Sequence, residues 1–93
     1  MPIAIQLAHA GHKASTDLPW HGGKQIAPGH AHGWQTVAPS ALPFNDADRA
    51  PVALDREAMD DVRDAFAAAA RRAARLGIAA VQIHAAHGYL LHQ

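Results

Sequence analysis

Cysteine is absent from the chain. That removes disulfides and thiolate metal ligands, and it suits a reducing compartment. Large aromatic residues are scarce, with two Phe, two Trp and one Tyr among 93 residues. Apolar residues make up 49% of the chain, but many are Ala, which buries little area, so the core this chain can build alone is thin. An excess of either charge is also lacking: eight Lys and Arg balance eight Asp and Glu. No electrostatic case arises for nucleic acid or for a membrane surface. No stretch approaches the ~20 apolar residues of a membrane span. Met1-Pro2-Ile3-Ala4-Ile5 has no basic start of the kind a secretory leader carries, and it runs on into His9. The cytoplasm is the expected compartment, and 93 residues make at most one small domain.

Histidine is abundant. Eight occur, at 9, 12, 21, 30, 32, 84, 87 and 92. The densest chemistry lies in Ile83-His84-Ala85-Ala86-His87-Gly88-Tyr89, where two imidazoles and a phenol fall within six residues, directly after the apolar run Ile78-Ala79-Ala80-Val81. A helix, a Gly, a buried strand and then polar residues is the order of a β/α unit, in which the strand's C-terminal end handles ligands. The residues alone leave two readings of this trio: a chemical centre, or a loop whose His and Tyr cap the strand. A third possibility is a histidine metal module. His84 and His87, three apart, can share a helical face, and His30 and His32 can add a ligand, but no Cys or clearly placed carboxylate completes the set.

Ile3 to Ala8 reads as a strand covered on both faces, because it is a near-continuous apolar run with β-branched members. Gln6 interrupts it. An unpaired buried amide costs on the order of 1–3 kcal/mol, so Gln6 either bonds neighbouring backbone or faces a ligand site, and sequence alone favours the first. Gly11 permits a turn out of the strand. From about Ala14 to Pro51 runs a connection that holds every Pro but Pro2, together with Gly22-Gly23, Gly29 and Gly33. So long a structureless loop is improbable unless it is functional. Short extended pieces are expected at Gln35-Thr36-Val37 and Ala41-Leu42, with Trp20, Trp34 and Phe44 as packing anchors. Asp55 to Leu76 is predicted as a helix. Met59, Val62, Phe66, Ala69, Ala70 and Ala73 recur at helical spacing, Asp55 is its N-cap and Gly77 its C′ residue. Glu57, Asp60 and Asp61 near its start and Arg71, Arg72 and Arg75 near its end complement the helix dipole. Ile78 to Ile83 forms the second strand, parallel to the first through a right-handed crossover. Two strands and one helix close nothing, so the expectation is a piece of a larger α/β fold.

Several segments together carry a resemblance. They are Gln6-Leu7-Ala8-His9-Ala10-Gly11, Pro19-Trp20 with Gly22-Gly23, Gly33-Trp34, Ala38-Pro39-Ser40-Ala41-Leu42-Pro43-Phe44, Ala65-Phe66 with Ala69, Arg71, Arg72 and Ala73, and above all Ile83 to Leu91. On these the chain resembles the old yellow enzyme family, nearest its bacterial branch of NADPH dehydrogenases and xenobiotic reductases. The resemblance spans essentially the whole chain, which would make residues 1–93 an internal, incomplete segment of an FMN-binding TIM barrel. It implies an enzyme that takes hydride from NAD(P)H onto FMN and passes it to the activated C=C bond of an α,β-unsaturated carbonyl compound, an enone or enal. Ile3–Ala8 would be the third barrel strand and Ile78–Ile83 the fourth. Gln6 would bond the pyrimidine side of the flavin, His84 and His87 would grip the substrate carbonyl oxygen, and Tyr89 would supply the proton. Those residue types fit the chemistry. Two N–H donors stabilise charge that develops on a carbonyl oxygen, and a phenol, a weak acid, ordinarily keeps its proton at neutral pH. The chain departs from the family at His12, where an Arg is usual, and at Ala79 and Gln82, where acids are usual. The isolated chain is expected to be inactive, needing the rest of a barrel or further copies of itself for stability.

Overall fold

The computed structural model describes residues 1–93. It is an α/β arrangement of four short strands and one helix: β1 (Ala4–Leu7), β2 (Val37–Ala38), β3 (Val52–Ala53), α1 (Arg56–Arg75) and β4 (Ala80–Ile83). β1 and β4 pair in parallel, with Ala4 opposite Ala80, Gln6 opposite Gln82 and Leu7 opposite Ile83. The ladder continues one residue past each end, through Ala79 N–H to the Ile3 carbonyl and His84 N–H to the Leu7 carbonyl, both 2.9 Å.

The helix forms where its sequence dictates. Eight of its twenty residues are Ala, the strongest helix former. Asp55 is the N-cap, and its Oδ1 accepts the Ala58 N–H at 2.8 Å. Gly77 adopts φ +78°, which lets Ile78 N–H reach the Ala73 carbonyl and Gly77 N–H reach the Ala74 carbonyl, each at 3.0 Å. This Schellman closure satisfies the last carbonyls and turns the chain back toward the sheet. It also commits Ile78 to the helix end, which is why β4 begins later than the apolar run suggests. Arg63 pairs with Asp60 and Asp64 at 3.0 Å, all three solvent-exposed, and exposed pairs add little stability.

Alternation sorts the sheet into two faces. Leu7, Val81 and Ile83 line an open apolar cleft of about 630 Å³ beneath Met59, Val62 and Phe66 of α1. Gln6, Gln82 and His84 occupy the opposite face by the same period of two.

The long connection is built rather than loose. Ser15 is buried; its Oγ donates to the Ile26 carbonyl at 2.8 Å and accepts from Trp34 N–H at 2.9 Å. Single-turn 3₁₀ segments lie at Gly11–Lys13 and Pro19–His21, Thr16 and Gln25 form an antiparallel bridge, and β2 pairs in parallel with β3. Thr36 and Ala38 are buried there. The extended piece therefore falls at Val37–Ala38, partnered by Val52–Ala53, and Ala41-Leu42 is not a strand.

Two expectations about packing fail for one reason. Trp20, Trp34 and Phe44 are 75%, 53% and 52% exposed rather than buried as anchors, and β1 and β4 are not covered on both faces, since Ile5 and Val81 are each 38% exposed. The chain offers too little apolar partner surface. Only 8 of 93 residues are buried. Its accessible surface is 6662 Å², whereas a compact chain of this mass exposes about 5200 Å². Its radius of gyration is 14.8 Å against about 12 Å for a compact domain of this length.

Candidate functional site

The parallel ladder delivers His84 at the C-terminal end of β4, and the chain then turns so that His84, His87 and Tyr89 converge. The His84 and Tyr89 rings stack, with centroids 4.8 Å apart and planes 26° apart. The His87 ring meets His84 edge-on at 5.4 Å. The turn owes its shape to two successive left-handed residues, His87 at φ +57° and Gly88 at φ +72°. His is among the side-chain-bearing residues that tolerate this region best, and Gly occupies it freely. The Tyr89 N–H closes the turn on the Ala86 carbonyl at 3.2 Å.

The hydrogen bonds also orient the imidazoles. His84 Nδ1 accepts from Ala86 N–H at 3.3 Å, so in the neutral ring Nε2 carries the proton and is the available donor. His9 Nδ1 accepts from Gly11 N–H at 3.1 Å, and burial pushes the His9 imidazole below its ordinary pKa of 6.5. The His9 carbonyl accepts from Leu90 N–H at 2.9 Å, tying the segment after β1 to the turn after β4.

Gln6 does not bond neighbouring backbone, the option that sequence alone favours. It is exposed, and its amide donates to the side chain of Gln82 at 2.7 Å rather than to neighbouring backbone. That single bond leaves the Gln6 carbonyl and the Gln82 amide group free on the face that carries His84. A flavin pyrimidine ring presents C=O and N–H groups in alternation, and free amide acceptors and donors at a strand edge complement such a rim. No three His, Cys, Asp or Glu side chains gather within reach of one ion, so the metal-module reading has no donor set.

Two further residues belong to this neighbourhood. Gln82 lies in register with Gln6, and its place two residues before His84, which directly follows β4, was a usable signal. Lys13 was not signalled at all. Its Nζ donates to the His87 carbonyl at 2.7 Å and lies 4.4 Å from the Phe44 ring centroid and 5.9 Å from that of Tyr89. His12, where the resemblance expects an Arg, has its Nδ1 2.9 Å from the Leu42 carbonyl and its ring tilted against Phe44 at 5.7 Å.

Comparison with known proteins gives this geometry a setting. The family model described as NADH:flavin oxidoreductase / NADH oxidase matches residues 2–93. A protein of Gibberella zeae named as an NADH:flavin oxidoreductase is 45% identical over 94 residues, covering 98% of this chain and 23% of its own. The NADPH dehydrogenase of Listeria monocytogenes is 45% identical over 89 residues, covering 96% of this chain and 22% of its own. That of Bacillus cytotoxicus is 40% identical over 90 residues, at 97% and 21%. The chain thus spans less than a quarter of the length of these curated relatives. A match running from residue 2 to residue 93 places the chain in the NADH:flavin oxidoreductase / NADH oxidase family.

Proposed function

We propose that residues 1–93 form an internal segment of an FMN-binding TIM barrel, and that the barrel reduces activated C=C bonds of α,β-unsaturated carbonyl compounds at the expense of NAD(P)H. The observation that carries this reading is the convergence of His84, His87 and Tyr89, with rings 4.8 and 5.4 Å apart, at the end of a strand paired in parallel with the one that bears Gln6. When bound and reduced by NAD(P)H, the flavin would supply the hydride. Gln6, bonded to Gln82 at 2.7 Å, would hold the pyrimidine rim. His84 donates from Nε2, and His87 from its own ring N–H, to the carbonyl oxygen of the substrate. Negative charge grows on that oxygen as the β-carbon accepts hydride, and two fixed donors stabilise it more than water does. Tyr89 protonates the α-carbon, and stacking on His84 keeps its hydroxyl beside the same substrate.

The chain alone we read as non-catalytic. With 8 of 93 residues buried and both edges of the β1–β4 sheet open, it needs the remaining strands, or further copies of itself, to hold the site. No helix is long and apolar enough to cross a membrane, and we place the protein in the cytoplasm.

A chimera tests this: the NADPH dehydrogenase of Listeria monocytogenes with its matching segment replaced by residues 2–93. It is expected to purify with stoichiometric FMN and to oxidise NADPH in the presence of 2-cyclohexenone. Tyr89→Phe, which keeps the ring and removes the hydroxyl, should slow enone reduction by roughly 10²-fold without FMN loss. An FMN-loaded chimera inert toward enones, or a Tyr89→Phe variant as fast as its parent, defeats the proposal. Retention of FMN by the 93-residue chain alone through gel filtration defeats the non-catalytic reading.

A further inference from the structure

Lys13 is one of only two lysines in the chain, the other being Lys24. Neither makes a salt bridge; the ion pairs are those of His21, Arg56 and Arg63. The Lys13 ammonium is instead directed at neutral groups: the His87 carbonyl at 2.7 Å, the Phe44 ring at 4.4 Å and the Tyr89 ring at 5.9 Å. A charge-assisted bond this short is among the stronger hydrogen bonds a side chain makes, and cations over aromatic faces are held electrostatically. Three separate stretches therefore meet at one amine: the turn leaving β1, the Phe44 loop and the turn leaving β4.

The second observation is the backbone it holds. His87 and Gly88 are both left-handed, and a left-handed residue with a side chain costs roughly 1–2 kcal/mol, so it persists where its surroundings over-determine it. The constraints on this pair are few. His92 Nδ1 accepts from Gly88 N–H at 2.8 Å, and the Gln93 side chain donates to the Gly88 carbonyl, but both lie just downstream on the same turn. Lys13 holds it from the β1 side. Contact is close enough that a methyl group on Gly88 would sit 3.2 Å from Lys13 Nζ.

We infer that Lys13 is a positioning residue: by bonding the His87 carbonyl across the two strand ends, it fixes the His87–Gly88 peptide and thereby the directions in which His87 and Tyr89 face the substrate. This inference rests on the function proposed above for His87 and Tyr89. Its anchoring component does not, and the two are tested apart.

The FMN chimera serves for both. Lys13→Met keeps an unbranched side chain of similar length and deletes the ammonium; Lys13→Arg restores a cationic donor. Misalignment felt mainly in the transition state lowers kcat more than it raises KM, so Lys13→Met is expected to lose roughly tenfold in kcat for 2-cyclohexenone, with KM and FMN content little changed, and Lys13→Arg to regain most of the loss. An unaltered kcat in Lys13→Met overturns the inference. So does FMN loss in Lys13→Met matched by Lys13→Arg, since that marks a general structural prop. Amine acetylation, read by peptide mass spectrometry whether or not the chimera is active, compares Lys13 with Lys24. Slower modification of Lys13 supports the anchor, and equal rates overturn it. A chimera that neither loads FMN nor reduces enones defeats the proposed function, while the acetylation ratio still judges the anchor.

Discussion

His9 shows how a single residue is set by its surroundings. Part-buried between the end of β1 and the turn after β4, it is desolvated without a compensating acid, so its imidazole is held below 6.5. Its Nδ1 must also stay unprotonated to accept from Gly11 N–H. The sign follows from linkage. In the interval between the lowered native value and the ordinary 6.5, the unfolded chain binds more protons than the folded one. The contribution of His9 to stability is therefore complete above about pH 6.5 and is lost as pH falls through that interval. The His9 Cε1 proton, followed by NMR, should titrate with a midpoint below 6.5; a midpoint at or above it contradicts the desolvation account. At this scale the sequence was informative about identity and poor about partners. The motif from Ile83 to Tyr89 is compact enough to nominate His84, His87 and Tyr89 unaided. Gln6 could be singled out as a polar break in an apolar run, yet its partner Gln82 lies 76 residues away. Lys13 makes its bond across 74 residues, and no local pattern encodes a contact of that range.

At the scale of elements, local signals decided what formed. Asp55 and Gly77 are read from residue type alone, and each makes the bonds its type predicts. Asp55→Ala should therefore cost about 1 kcal/mol of helix stability, and Asp55→Asn much less. Circular dichroism at 222 nm during thermal melting checks this, and equal midpoints for the Ala variant and its parent would mean that the Asp55 side chain contributes nothing as a cap. The parallel pairing of β1 and β4 was equally legible, because strand, helix and strand in succession allow few other arrangements. The β2–β3 pair was only half legible. Val37 stood in an expected extended piece, but Val52–Ala53 follows Pro51 and precedes the N-cap with only two residues to declare a strand, too few for a period of two to show. The aromatic anchors misled because type predicts a preference for burial, while burial itself requires a partner surface.

For the whole molecule, the surface in excess of a compact chain is the dominant fact. Exposed Ile83 and Met59 border the cleft between sheet and helix, whose lining is mostly apolar. The isolated chain should bind the dye ANS and unfold over a broad urea range. A chain that ignores the dye and melts cooperatively, with a urea slope of about 1–3 kcal/mol/M as for a small domain, would mean that these surfaces find partners within the chain. The two-faced strands carry a last consequence for how such a protein changes over generations. Leu7, Val81 and Ile83 answer to the helix, and Gln6 and Gln82 lie on the opposite face of the sheet. Mutational drift in the greasy layer can therefore proceed with little effect on the opposite face, and Gln82 or His84 can change without renegotiating how the helix sits.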